Sequence, residues 1–235
     1  MTRLSALPTE NSKRFQYRII RSNRKSLAVS VSRDASVMVR SPMRISDGII
    51  EKFIEQNTAW ISRTVTRVRA NFSELERQYI DGELFWYLGN RYPLRVSEES
   101  GKASLELSVG EFVLSRRFQG KAKTRFLSWY RREARNIIKS RVDALAGENR
   151  LLYRSVKVNG AKTRWGSCSG KGNLNFSFRL VMAPLSVIDY VVVHELAHLV
   201  HPNHSAHFWE TVAEMRPDFE TERGWLRKNG HRLEC

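Results

Sequence analysis

Between Phe15 and Arg40, apolar and polar residues alternate in short runs, Phe15-Gln16-Tyr17-Arg18-Ile19 and Leu27-Ala28-Val29-Ser30-Val31, broken at Ser22-Asn23-Arg24 and Arg33-Asp34. Alternation with period two puts successive side chains on opposite faces, so these runs predict a small antiparallel sheet. After Ser46-Asp47, apolar residues recur at Ile50, Phe53, Ile54, Trp60, Ile61, Val65 and Val68, the spacing of one helix face. Residues 80–115 return to short strand-like runs, Phe85-Trp86-Tyr87-Leu88 and Phe112-Val113-Leu114, punctuated by Gly82, Gly89-Asn90, Gly101 and Gly110.

From Lys121 to Leu145 the pattern is helical again, with Phe126, Tyr130, Ala134, Ile137 and Leu145 on one side and Lys121, Arg125, Arg132, Arg135 and Lys139 on the other. Two further strands are predicted at Ser155–Val158 and Leu174–Phe178. Pro184 and Ser186, with Asp189 three residues after the serine, then open a helix that carries Val191-Val192-Val193 into His194. The predicted class is α+β. The change from strand to helix pattern places a soft boundary near residue 117, giving an N-terminal α+β region (1–117) and a C-terminal region (118–235).

Composition adds limits rather than a function. Of 235 residues, 41% are hydrophobic and 10% aromatic, which suits a packed globular chain. No run of about 18 apolar residues occurs, and the opening segment lacks an apolar core that could serve as a secretory signal, so no membrane partner and a cytoplasmic location are expected. Two cysteines, Cys168 and Cys235, fit a reducing compartment. The net charge of +16 is uneven, with 17 Lys and Arg against 3 Asp and Glu in residues 116–183. The basic face at 121–139 is therefore either an ordinary solvated surface or a docking surface for nucleic acid or an acidic partner.

The chemistry lies in the last fifth of the chain. His194-Glu195-Leu196-Ala197-His198 is a complete HExxH on a predicted helix. Four residues turn a helix by about 400°, so the two imidazoles project within roughly 40° of one another and reach one ion, with Glu195 beside them. A catalytic zinc takes three protein ligands and keeps one position open, so a third ligand is required. His204 is the first candidate, because Pro202-Asn203 ends the helix and Ser205 can cap the next one. His201, His207, Glu210 and Glu214 are its rivals. Tyr190, His201, His207 and Arg164 are the groups to consider for stabilising an oxyanion, and no spacing rule selects among them.

These residues, together with Thr163-Arg164-Trp165-Gly166-Ser167-Cys168, Leu174-Asn175, Pro184, Ile188-Asp189-Tyr190-Val191, His204-Ser205 and Phe208-Trp209, closely resemble the bacterial YgjP-like metallopeptidases, which are similar to the WLM and SprT-like proteases. The resemblance implies a zincin-like core, a mixed sheet on the HExxH helix, here preceded by an N-terminal β-hairpin and helix. It implies one zinc per chain on His194, His198 and His204, with Glu195 as general base towards a zinc-activated water in peptide hydrolysis. It further implies an edge strand at Asn173, Leu174, Asn175, Phe176, Ser177 and Phe178 that pairs with a peptide or protein substrate, and Arg164 and Trp165 as supports beside the cleft. The competing expectations are a nucleic-acid-associated protein with a structural zinc site, a DNA-stimulated protease, and an amidase acting on a small substrate.

Overall fold

A computed structural model describes residues 15–32, 35–73, 77–98 and 104–234; Arg33-Asp34, Gly101, Cys235 and the opening segment lie outside the described residues. The chain divides into two compact units, Met1–Glu76 and Arg77–Cys235.

In the first unit, strands β1 (Tyr17–Ser22), β2 (Ala28–Val31) and β3 (Val37–Pro42) form one sheet in the order β1-β3-β2. β2 and β3 pair antiparallel, as alternation and a short connection predict, but β1 runs parallel to β3, so the sheet is mixed rather than antiparallel throughout. The pattern of alternation is the same for both senses of pairing, which is why it could not reveal this. Helix α1 (Asp47–Ser73) lays Ile50, Ile54, Ile61 and Val65 against Val37 and Val39, all of them buried.

The second unit contains everything else. Strands β4 (Leu84–Tyr87), β5 (Asn90–Ser97), β6 (Leu105–Ser108) and β7 (Glu111–Ser115) form a sheet in the order β4-β5-β7-β6, and helix α2 (Ala122–Glu148) follows β7 after one 3₁₀ turn. The expected boundary near residue 117 falls inside this unit. Phe126 of α2 stacks on Phe85 with ring centroids 4.1 Å apart and meets Phe112 at 5.2 Å, and Tyr130 donates its hydroxyl to the Trp86 carbonyl at 2.6 Å. One aromatic core therefore spans the position where the local pattern changes.

A second sheet is built from β8 (Ser155–Asn159), β9 (Gly166–Cys168) and β10 (Asn173–Ser177), in the order β8-β10-β9. Helix α3 (Leu185–Ala197) packs against it and against α2, and α4 (Ala206–Met215) and α5 (Phe219–Asn229) complete the unit. The tight turn between β4 and β5 anchors the start of α3. Leu88 and Gly89 donate their N–H groups to the carbonyls of Val181 and Met182, and Gly89, at φ +83°, lies so close to Pro184 that a Cβ would come within 2.8 Å of its ring. No helix among the described residues is long and apolar enough to cross a membrane.

Candidate metal centre

Helix α3 is apolar almost all round, and Val187, Ile188, Val191, Val192, Val193 and Leu196 are each at most 4% exposed. Such a helix is stable only at the centre of a fold, and here the edge bearing His194 and His198 is the one that opens to a cleft. Its start does not use the expected serine cap: Pro184 occupies the cap position with no side-chain bond. Asp189 is instead drawn into the interior, where Arg141 of α2 donates from Nε at 2.5 Å and from Nη2 at 3.0 Å, and Arg216 approaches at 3.7 Å. A paired, buried carboxylate gains more from two guanidinium bonds than from one exposed backbone N–H.

The helix ends at His198, the chain turns through Pro202-Asn203, and Ser205 caps α4 by accepting the N–H of Phe208 at 3.4 Å. This reversal brings His204 back to the helix. Its Nε2 lies 3.1 Å from Nε2 of His194, and one ring nitrogen from each of His194, His198 and His204 falls within 4.8 Å of the others. Phe208 is fully buried beneath all three rings, at centroid distances of 5.0, 4.6 and 4.8 Å, and fixes their spacing.

The donor set fits a divalent metal. Zinc–nitrogen bonds of about 2.0–2.1 Å in a tetrahedron place neighbouring ligands roughly 3.3–3.4 Å apart, close to the His194–His204 separation. His198 Nδ1 lies 3.0 Å from the carbonyl of His201. A carbonyl can only accept, so the proton sits on Nδ1 and the Nε2 lone pair is free, the usual arrangement of a metal-binding imidazole. Burial, then the neighbouring His198 and His204, then Arg223 push the pKa of His194 down to about 4, and burial with His198 and Arg223 lowers that of His204. Both rings are therefore held in the neutral form that binds metals.

Glu195 stays outside this cluster. It is 4% exposed, the Cys168 N–H hydrogen-bonds its carboxylate, and its Oε2 has no partner. Burial pushes its pKa up to about 8, against the pull of Arg164 and of the Cys168 N–H. Burial, with Glu195 nearby, also raises the pKa of Cys168, so that thiol is held protonated.

The rival ligands lie elsewhere. His207 bonds Glu210 at 2.9 Å on the exposed side of α4, Glu214 is exposed, and His201 meets the site through its carbonyl. Tyr190 and Arg164 do line the cleft of about 320 Å³ that reaches His194 and Glu195, together with Trp165, Gly166, Arg223 and Leu226. Gly166 lies in the run that carries the resemblance without a role of its own, and Arg223 carries no sequence signal.

The expected edge strand requires correction. β10, with Asn173, Leu174, Asn175 and Phe176, is the middle strand, parallel to β8 on one side and antiparallel to β9 on the other. Leu174 and Phe176 are fully buried, and Asn173 is held between Ser155 and Ser169. The edge beside α3 is β9. Trp165 and Ser169 exchange backbone bonds with Ser177 and Asn173, so the backbone groups of the alternate residues Gly166 and Cys168 face away from β10.

The basic face of α2 is partly neutralised within itself, with Arg132 paired to Glu133, Lys139 to Asp143, and Arg125 stacked over Phe118.

Residues 25–229 match the family model described as "YgjP-like, metallopeptidase domain". Among curated proteins none matches. The crystal structure of the metallopeptidase zymogen of Pyrococcus abyssi abylysin is similar at 19% identity, over 39% of this chain and 93% of that one, with a TM-score of 0.36.

Proposed function

The chain belongs to the YgjP-like metallopeptidase family, and from that premise we propose that it is a zinc-dependent peptidase whose single ion is held by His194, His198 and His204, with Glu195 as general base. The observation that carries this reading is the convergence of three imidazoles, two of them 3.1 Å apart at Nε2, beside a buried carboxylate that none of them engages. A structural zinc site fills all four positions with His and Cys, whereas among the described residues this cluster offers three histidines. The sheet β8-β10-β9 and helix α3 then form the zincin-like core.

A bound zinc ion supplies a Lewis acid for the scissile carbonyl and lowers the pKa of water towards about 7. The chain's own residues do the rest. In its ionised form Glu195, made a strong acceptor by its raised pKa and oriented by the Cys168 N–H, takes a proton from water with its unpartnered Oε2 side and returns it to the leaving amine. The outward backbone of Gly166 on β9 pairs with an extended peptide, holding its carbonyl across the histidines. Tyr190, buried at the cleft wall with its ring 6.1 Å from that of His194, is the group placed to donate to a developing oxyanion.

The test is metal analysis of the purified protein combined with a proteome-wide cleavage comparison between the parent and Glu195→Gln. Stoichiometric zinc with cleavages present only in the parent supports the reading. Absence of zinc, or identical cleavage by both proteins, ends it.

A further inference from the structure

β9 packs on α3 where Gly166 meets Glu195, and a cleft lies at each end of that contact, the two making up an interrupted groove. One, of about 320 Å³, borders the start of β9 and the Tyr190–Glu195 stretch of α3; the other, of about 390 Å³, borders the turn after β9 and the end of α3 at His198-Leu199. Arg164 and Arg223 line the first, and Arg154 and Lys171 line the second. Among the described residues, Glu195 is the only carboxylate lining either.

What makes this more than the overall basicity of the chain is position: these cations line the clefts beside the histidines, whereas the basic residues of α2, two of them paired with Glu133 and Asp143, line neither. Beside the clefts, Arg223 pairs with exposed Glu220 at 3.1 Å and the charge of Arg164 acts on Glu195, while among the described residues no carboxylate lies within ion-pair distance of Arg154, Arg164 or Lys171, and all three are exposed. Exposed cations flanking a concave site attract the opposite charge and repel like charge.

We propose that the groove selects acidic peptides, with Asp or Glu on both sides of the bond placed over the histidines, and that Arg154, Arg164, Lys171 and Arg223 set this preference. The proposal rests on the peptidase reading for the position of the bond, while the charge selection itself rests on these four side chains. Each cation engaged contributes roughly a two- to fivefold preference, the range of exposed ion pairs.

The experiment uses the full-length Glu195→Gln protein with zinc added and three matched sets of fluorescent decapeptides, differing only in Asp/Glu, Ser/Ala or Lys around a common apolar pair. Binding is read by anisotropy at two salt concentrations, and the same peptides are given to the parent and scored for cleavage by mass spectrometry. The expected result is tightest binding of the acidic set, a gap that narrows with salt, and loss of the gap in Arg164→Glu/Lys171→Glu. Equal binding of the acidic and lysine sets, or no binding of any, overturns the proposal without recourse to the variant. Acidic binding with no cleavage by the parent sinks the peptidase reading and leaves the charge selection standing. Cleavage of all three sets at one rate does the reverse.

Discussion

Gly166 lies directly against Glu195: a Cβ built at position 166 would fall 2.6 Å from Cγ and 2.8 Å from Cδ of the glutamate. Even one methyl group there must displace the carboxylate or the edge strand. Gly166→Ala is therefore expected to lower kcat by about a hundredfold, the cost of a shift near 1 Å in a positioned group, while leaving zinc content unchanged. Steady-state kinetics with metal analysis checks it. Full activity in the alanine variant would show that the glutamate has room to spare.

Glu195→Gln keeps the shape and removes the proton acceptor. Its rate should fall by at least about 10²- to 10⁴-fold, with zinc retained because the carboxylate is not a ligand. The melting temperature should hold or rise, since the variant no longer buries an ionisable group. Calorimetry beside the kinetic assay measures both.

A zinc ion held by His194, His198 and His204 would bridge the end of α3 and the turn before α4, so chelation should weaken the second unit. Adding zinc to the stripped protein at about 100 times its dissociation constant stabilises the folded state by about 2.7 kcal/mol, which for a domain of this size corresponds to about 5–10 °C in Tm. His204→Ala should abolish most of that rise. A zinc-dependent shift of equal size in the alanine variant would assign the third ligand elsewhere.

Arg141 and Asp189 join α2 to α3, with Arg216 and Glu222 extending the network at 2.9 Å. Asp189→Ala leaves the half-buried Arg141 and Arg216 guanidinium donors without their acceptor and should cost about 1–3 kcal/mol, read as a lower urea midpoint at unchanged m. A loss below about 0.5 kcal/mol would reduce the pair to a surface ornament.

Much of the centre is written locally. His194 and His198 share a helix edge because any helix turns about 100° per residue, and Ser205 caps α4 because a hydroxyl beside the first free N–H groups has little else to do. The same local reasoning misled at Asp189, where the spacing of a capping box concealed a long-range ion pair with Arg141, 48 residues away. It also misled at Asn173–Phe178, because a strand's alternation records which face is buried and not which neighbours it has. Gly166 stands in the run that carries the family resemblance but with no role marked there, since it acts through the absence of an atom, and nothing marks Arg223, which arrives through a chain reversal 25 residues after His198.

By itself the sequence determined the elements whose order is short-ranged: the buried helix, the spacing of its two imidazoles, the turn that carries His204, and the excess of positive charge. Only the tertiary structure decided that β9 and not β10 forms the edge beside α3, that the strands of residues 84–115 share one aromatic core with α2, and that cations line the clefts at both ends of the β9–α3 contact. The physical reason is that helix geometry and capping are set within a few residues, whereas strand neighbours, buried ion pairs and close glycine contacts depend on which distant segments win the competition to exclude water together.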